Sequence, residues 1–161
     1  MYQSPHYQIP LPVAPVWRRI AALVYDSLLL LALSMAYGGI ALAIHVALFG
    51  TGSEEYQPRL THPLFPIGWY ICLSSFYVFF WCRAGQTAGM KAWRLTIIGE
   101  ENRHPSVKAA YIRAVLSSFL APSLIGYVWT WLDKDKLCLH DRLSQTKVLL
   151  EPPRKKKKKA K

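Results

Sequence analysis

Two ionisable residues, Arg19 and Asp26, lie near the start of a long apolar stretch, VWRRIAALVYDSLLLLALSMAYGGIALAIHVALF. Seven residues advance a helix by about 700°, so both side chains share one face, roughly 10 Å apart along the axis. That separation is too long for a direct ion pair. Because a carboxylate inside a membrane helix is costly, Asp26 needs a partner from elsewhere in the fold. We expect Arg19 to extend to lipid phosphates at the membrane surface.

Arg113 is the expected partner of Asp26. It lies near the start of a later apolar block, AAYIRAVLSSFLAPSLIGYVWTWL, at a similar shallow depth. A pair between Asp26 and Arg113 would neutralise two charges that are otherwise costly in a membrane. Two interpretations follow: the pair holds two helices together, or Asp26 binds a proton or a cation during transport and Arg113 competes for the same carboxylate.

Long apolar blocks set the fold class. The chain of 161 residues is 52% hydrophobic and 18% charged, and its apolar residues fall into three blocks. Residues 17–49 and 64–81 fit two membrane-spanning helices. The third block, residues 109–132, has a charge-free part of 19 residues, but the segment after it carries eleven Lys and Arg. We expect a re-entrant hairpin bent at APSLIG, and a third full span is the alternative.

The distribution of basic residues predicts the orientation in the membrane. The segment after the second span carries five Lys and Arg, whereas the loop between the first two spans carries one. By the positive-inside rule the N-terminus, this segment and the C-terminus are cytoplasmic. The stretches WRLTIIG and TKVLLE read as two short strands that could pair. The predicted fold is therefore an all-α membrane protein with a small cytoplasmic β-hairpin-like element.

The two ends of the chain differ from the membrane domain, residues 16–150. Residues 1–15 contain four prolines and no Lys or Arg, and we expect a flexible Pro-rich arm. Residues 151–161 form a polybasic tail, which should be disordered through self-repulsion. Beside a lipid bilayer, its partners would be anionic headgroups, at about 1 kcal/mol per basic residue near the surface.

Two polar motifs lie outside the spans. In GQTAG, the residues Gly85, Gln86, Thr87 and Gly89 predict a turn or tight packing at the cytoplasmic face. In LHDRLSQT, we expect Asp141 to accept hydrogen bonds from the GQTAG loop or to pair with a loop arginine. We assign no metal site, no cofactor and no enzymatic activity to the chain, since no paired acid–base or metal constellation is evident.

Three stretches together resemble the RDD family of bacterial inner-membrane proteins: RRIAALVYDSLLL, GQTAGMKAWRLTIIGEENRHPSVKAAYIRAVL and WLDKDKLCLHDRLSQTKVLL. The resemblance implies an RDD-like membrane domain over residues 16–150 in a multi-pass protein. The family is named for one arginine and two aspartates. Here the arginine and the first aspartate would be Arg19 and Asp26, and the second aspartate would be Asp141, with Asp133 as the alternative. Transport has been suggested for the family.

Two classes of function remain open from the sequence. One is transport of an ion or small solute with Asp26 as the proton or cation site, which would require a homo-oligomer because so small a membrane domain cannot easily enclose a pathway. The other is a non-transporting membrane adaptor or assembly factor, in which the Arg and Asp residues are structural. The sequence does not identify the solute or the protein partner.

Overall fold

The computed structural model of the chain describes residues 2–4, 7–50, 63–99, 103–120 and 125–153. The loop between the two spans, residues 121–124 of the expected bend and residues 154–161 of the polybasic tail lie outside the described residues. Predictions made for those segments are therefore not addressed by the structure.

Two helices dominate the fold. Helix α1, Val16–Phe49, has 34 residues, and helix α2, Leu64–Ala84, has 21. Among the described residues, these are the two helices long and apolar enough to cross a membrane. No residue in the most apolar 18-residue window of α1 is buried inside the protein. Because a core helix of a soluble protein would be covered there, this exposed apolar surface is typical of a helix in contact with lipid.

A small sheet packs against the ends of these helices. Strand β3, Leu95–Ile98, pairs antiparallel with strand β4, Lys147–Leu150, with Leu95 opposite Leu150 and Ile98 opposite Lys147. The two strands lie within WRLTIIG and TKVLLE, the stretches whose β-branched and aliphatic residues predict strands. Three of the four β3 positions carry aliphatic side chains, and all four are buried, as expected for a strand covered on both faces.

The described part of the N-terminal segment forms two short strands and then contacts the sheet. Strands β1, Tyr2–Ser4, and β2, Tyr7–Leu11, pair antiparallel. The chain then runs along β4: the Ala14 N–H donates to the Val148 carbonyl at 2.9 Å, and the Leu150 N–H donates to the Pro12 carbonyl at 2.9 Å. These backbone hydrogen bonds place Pro12 and Ala14 beside β4 as an edge segment of the sheet, and the flexibility expected for residues 1–15 stays a prediction.

Several short elements lie in and around the third apolar block. Helix α3, Ala88–Ala92, comes before β3 and outside the block, whereas helix α4, Val107–Leu120, forms the start of the block. Helix α5, Ile125–Val128, and a 3₁₀ turn, Trp129–Trp131, follow, and helix α6, Leu139–Leu143, leads into β4.

Helix α5 contacts both α4 and α6. A Cβ built at Gly126 would lie 3.1 Å from the Leu120 Cβ and 3.0 Å from the His140 Nδ1, so α5 lies against both the end of α4 and the start of α6. Strand β3 precedes the block and β4 follows it, so the two flanks of the block belong to one sheet.

The hydrophobic core lies where α1, α2, α3, α4 and the sheet meet. It is made of small and aliphatic residues together with one large ring, Trp81. Its buried members are Ala14, Ala22, Val78, Trp81, Met90, Leu95, Ile97, Ala110, Ala114 and Val148. Small side chains on α1 and α4 leave room for α1 to contact α3 and for α4 to contact α2 and α6, which brings the polar residues of these helices together.

Candidate functional site

Asp141 is the centre of a buried ion-pair cluster. Its side chain is fully buried, and it lies on α6, facing α1 and α4. The Arg113 Nη1 donates to the Asp141 Oδ1 at 2.5 Å, and the Arg19 Nη1 donates to the Asp141 Oδ2. A buried carboxylate is tolerated only when such partners offset its loss of hydration. One aspartate therefore holds three helices together.

The two arginines keep Asp141 ionised. Burial alone would raise the pKa of its carboxyl group, but the Arg113 and Arg19 guanidiniums, with a smaller effect from His140, hold that pKa well below its usual range. Asp141 is therefore negative at any physiological pH. The cluster of Arg19, Asp141 and Arg113 then carries a total charge of 2 − 1 = +1.

The two arginines make further hydrogen bonds, although the Arg113 Nε has no partner among the described residues. The Arg19 Nε donates to the Ala14 carbonyl at 3.0 Å, and its Nη1 lies 3.0 Å from the Cys138 Sγ. The Arg113 Nη1 donates to the Thr146 Oγ1 at 2.6 Å. Arg19 is buried, so the expectation that it extends to lipid phosphates is wrong. Its guanidinium is directed inward because Asp141 and the backbone of the N-terminal segment provide acceptors there.

Asp26 has different partners from those expected. It is 2% exposed. Its Oδ2 accepts a hydrogen bond from the Thr87 hydroxyl at 2.5 Å, and its Oδ1 accepts one from the Gly89 N–H at 2.8 Å. The predicted pair between Asp26 and Arg113 is therefore wrong, because Asp141 binds Arg113 and the start of α3 provides neutral donors to Asp26.

The GQTAG loop places those donors. Gly85 ends α2 with a left-handed backbone (φ 65°), and its N–H bonds to the Trp81 carbonyl at 3.1 Å. The Gln86 amide donates to Glu151. Thr87 caps α3, since its Oγ1 accepts from the Met90 N–H at 3.2 Å while its hydroxyl hydrogen is donated to Asp26. The loop thus forms a tight turn that packs α3 against α1. It donates its hydrogen bonds to Asp26, whereas we expected Asp141 to accept them.

Gly89 marks the close approach of α3 to α1. A Cβ at this position would lie 2.8 Å from the Asp26 Oδ1 and still closer to the Ala22 carbonyl oxygen. Glycine is therefore required here by space, since its backbone N–H could not reach the carboxylate if a side chain intervened.

The other sequence candidate for the second family aspartate, Asp133, has a side chain that is 4% exposed, but it takes part in neither of the ion pairs described for Arg19 and Arg113. It pairs with Arg142, whose side chain is 54% exposed, and it accepts a hydrogen bond from the Leu137 N–H at 3.0 Å. Asp141 is the aspartate that meets the buried arginines, so the structure favours Asp141 as the counterpart of Arg19.

Cys138, His140 and Asp141 could in principle hold a metal ion, because their ligand atoms all lie within 4.8 Å of one another. Burial raises the pKa of Cys138 to about 11 and lowers the pKa of His140 to about 4, so the thiol and the imidazole are neutral at pH 7. Two guanidiniums already occupy the carboxylate oxygens of Asp141. These contacts are better suited to holding arginines than to coordinating a cation.

A cavity of about 360 Å³ lies between α1, α2 and α4. Its wall includes the ionisable residues Arg19, Asp26, Arg113 and His140, together with several aromatic side chains. Sequence reasoning missed this cavity, although a signal was present: Tyr70, Ser74, Tyr77 and Trp81 recur at intervals of four, three and four, which places them on one face of α2.

No curated protein and no solved structure matches the chain. A family model does match it, over residues 13–145, which include α1, the GQTAG loop, Arg113 and Asp141. That range covers most of the chain and all of the buried ion-pair cluster described above. The chain belongs to the RDD family.

Proposed function

We propose that this membrane protein takes part in transport of an ion or small solute, with Asp26 as the group that takes up a proton or a cation. The observation that carries the proposal is that Asp26 is buried, lines the cavity and, among the described residues, accepts hydrogen bonds only from neutral donors. None of the ion pairs found within the described residues includes Asp26. A buried carboxylate without a counter-ion is suited to binding one reversibly.

The ion-pair cluster supports this assignment. Asp141 binds both Arg19 and Arg113, and neither arginine forms an ion pair with Asp26 in the described residues. The cluster therefore holds the helices together, which is the structural function that the sequence also allowed for Asp26. In the proposed cycle Asp26 changes its bound proton or cation while the cluster keeps α1, α4 and α6 in place.

A pathway across the membrane would require more than one copy of the chain. Two candidate spans do not surround a channel, and the apolar surface of α1 is largely uncovered. We therefore propose a homo-oligomer in the bacterial inner membrane, with lipid or a second copy against α1. Crosslinking in native membranes would test this, since a strictly monomeric protein would contradict an oligomeric pathway.

Reconstitution in liposomes tests the transport function. The purified chain is placed in vesicles with an internal pH dye, and a sodium or potassium gradient is imposed. We expect a pH change for the parent and for Asp135→Asn, an exposed control, and a loss of that change for Asp26→Asn. Thermal unfolding of each variant in detergent verifies that it is folded. Equal flux in the parent and in a folded Asp26→Asn protein would overturn the assignment.

A membrane adaptor or assembly factor is the second candidate. It is favoured by the same two hydrogen bonds of Asp26, since they join α1 to α3 and could be purely structural. Under this alternative, neither protein would produce flux and the Asp26→Asn variant would unfold at a lower temperature than the parent.

We also propose that both termini are cytoplasmic and that the third apolar block is re-entrant. Support comes from the bridge between Val13 and Leu149, which places the N-terminal segment beside the last strand. Labelling of single cysteines from either side of the membrane tests this, after Cys72, Cys82 and Cys138 are replaced by serine. A cysteine at position 160 should react from the cytoplasm and one at position 53 from outside. Reaction of position 160 from outside would require a third full span.

A further inference from the structure

The cavity beside Asp26 has the size and wall of a small-molecule site. Pockets that bind small molecules measure about 300 to 1,000 Å³ and are mostly apolar with a few polar groups. This cavity measures about 360 Å³. Its aromatic wall residues are Trp69, Tyr70, Tyr77, Trp81 and Tyr127. Five aromatic side chains therefore line the same cavity as the carboxylate of Asp26.

The total charge around the cavity changes by the same amount when Asp26 takes up a proton or when a monovalent cation binds beside it. Arg19 and Arg113 are bound to Asp141 behind them, which leaves +1, and His140 is neutral at pH 7. An ionised Asp26 brings the total to zero. A proton on Asp26, or a monovalent cation beside it, raises the total to the same +1. A proton and a cation can therefore replace each other without changing the charge of the site.

The composition of the wall favours organic cations over divalent metal ions. Hard metal ions such as Ca²⁺ and Mg²⁺ take six or more oxygen ligands. The cavity offers the Asp26 carboxylate and a few hydroxyl groups, and the Ser118 hydroxyl is already hydrogen-bonded to the Ala114 carbonyl at 2.8 Å. Aromatic faces instead attract organic cations, whose charge is spread over alkyl groups.

We infer that the cavity binds an organic cation with an apolar or aromatic body, with its charge beside Asp26 and its body against the rings of Trp69 and Tyr77. The inference rests on the proposed function, because it names the class of solute that would exchange with a proton on Asp26. When the cation arrives, the proton leaves to water, and no covalent bond other than the O–H bond of Asp26 is broken.

One observation favours binding of an anion instead, so the test includes an anionic probe. Arg113 and Trp81 are both buried and line the cavity, and the Arg113 Nε and the Trp81 Nε1 have no hydrogen-bond partner among the described residues. Each is an N–H donor that could bind an acid group. Each also lies beneath the cavity surface, so an acid group could reach it only after a side chain rotates.

Calorimetry on the full chain in detergent tests the inference with three probes. The cation is benzyltrimethylammonium, the neutral control is neopentylbenzene, which has carbon in place of the nitrogen, and the anion is phenylacetate. We expect the cation to bind at least about tenfold more tightly than either of the others. Titrations in two buffers of different ionisation enthalpy should reveal a proton released on binding. Equal binding of the neutral probe, or tighter binding of phenylacetate, would overturn the inference.

Variants separate the carboxylate from the aromatic wall. Asp26→Asn should weaken binding of the cation at least about tenfold. Trp69→Leu should weaken it about 3- to 30-fold, and Trp69→Phe should retain most of it, because a ring remains. The control is Trp131→Leu, since Trp131 is 86% exposed and does not line the cavity. Unchanged binding in both Asp26→Asn and Trp69→Leu would contradict the assigned site.

The outcomes distinguish this inference from the proposed function. Binding is measured without a gradient, whereas transport is measured with sodium or potassium in liposomes. If the cation fails to bind but flux depends on Asp26, the solute class is wrong and the transport proposal stands. If the cation binds and no flux occurs with any gradient, including one of benzyltrimethylammonium, the cavity is a binding site and the transport proposal fails. Trp69→Leu is informative even where Asp26→Asn unfolds, since the Trp69 Nε1 donates to the Ser34 Oγ at 2.9 Å and not to Asp26.

Discussion

The carboxylate of Asp141 lies 2.5 Å from the guanidinium of Arg113, across 28 positions of sequence. Arg19 binds the other oxygen of the same carboxylate from a helix 122 positions away. In this arrangement one negative charge from α6 neutralises one of two positive charges, and no cationic side chain among the described residues pairs with the carboxylate of Asp26.

Removing the charge of Asp141 should destabilise the protein strongly. Asp141→Asn leaves two buried guanidiniums without their counter-ion, and breaking a buried pair in this way costs about 3–5 kcal/mol. Thermal or chemical unfolding in detergent measures the loss. Asp135→Asn is the matched control: its side chain is 55% exposed, and its free energy of unfolding should change by less than about 0.5 kcal/mol. A fully stable Asp141→Asn protein would show that the cluster is dispensable.

Arg113→Lys should also be destabilising, although it conserves the charge. The Arg113 Nη1 donates to both Asp141 and Thr146, and a lysine ammonium cannot reproduce the planar geometry of the guanidinium. We expect a loss of about 1–3 kcal/mol in the free energy of unfolding. Arg142→Lys, at a half-exposed arginine that also pairs with an aspartate, should be nearly neutral. Equal losses for the two substitutions would indicate that burial of the pair is unimportant.

A side chain at position 89 should separate α3 from α1. Gly89→Ala places a methyl group within 2.8 Å of the Asp26 Oδ1, which should cost about 1–3 kcal/mol and break the hydrogen bond from the Gly89 N–H. The control is Gly39→Ala in α1, where nothing lies within 4 Å of the new Cβ, and where alanine favours the helix by up to about 1 kcal/mol. Unfolding curves of the two variants should therefore shift in opposite directions.

The stability of the fold should depend on pH through His140. Burial, with the Arg113 and Arg19 charges opposing protonation as well, lowers its pKa from 6.5 to about 4, although Asp141 acts in the other direction. Between pH 6.5 and 4 the unfolded chain binds a proton that the folded chain does not, so stability should fall by up to about 3 kcal/mol as the pH drops through this range. His140→Gln should lack this part of the pH dependence. Asp141 stays ionised there, because its own pKa is held low. Identical pH profiles for the parent and His140→Gln would contradict the assignment.

The sequence was sufficient for the elements that depend on local pattern. The charge-free run after Asp26 predicts α1, and the aliphatic and β-branched residues of WRLTIIG and TKVLLE predict the pair of strands. Burial of Asp26 could also be predicted, because a charged side chain on a membrane helix is costly when it faces lipid.

The choice of partners could not be predicted in the same way. Asp26 and Arg113 each lie near the start of an apolar block, and this position predicts that they pair. The position in the sequence does not show that Arg113 binds Asp141 instead. Asp141 reaches the arginines from a helix of five residues, and Thr87 reaches Asp26 from the cap of another such helix. Helices this short leave little periodic signal, so their contacts depend on how the chain folds back after α4.

A double-mutant cycle tests most directly whether Asp141 rather than Asp26 neutralises Arg113. Free energies of unfolding are measured for Arg113→Met, Asp141→Asn, Asp26→Asn and the two double variants that contain Arg113→Met. We predict a coupling energy of about 1.5 kcal/mol or more between Arg113 and Asp141, and less than about 0.5 kcal/mol between Arg113 and Asp26. A larger coupling of Arg113 to Asp26 than to Asp141 would contradict the arrangement on which the proposed function depends.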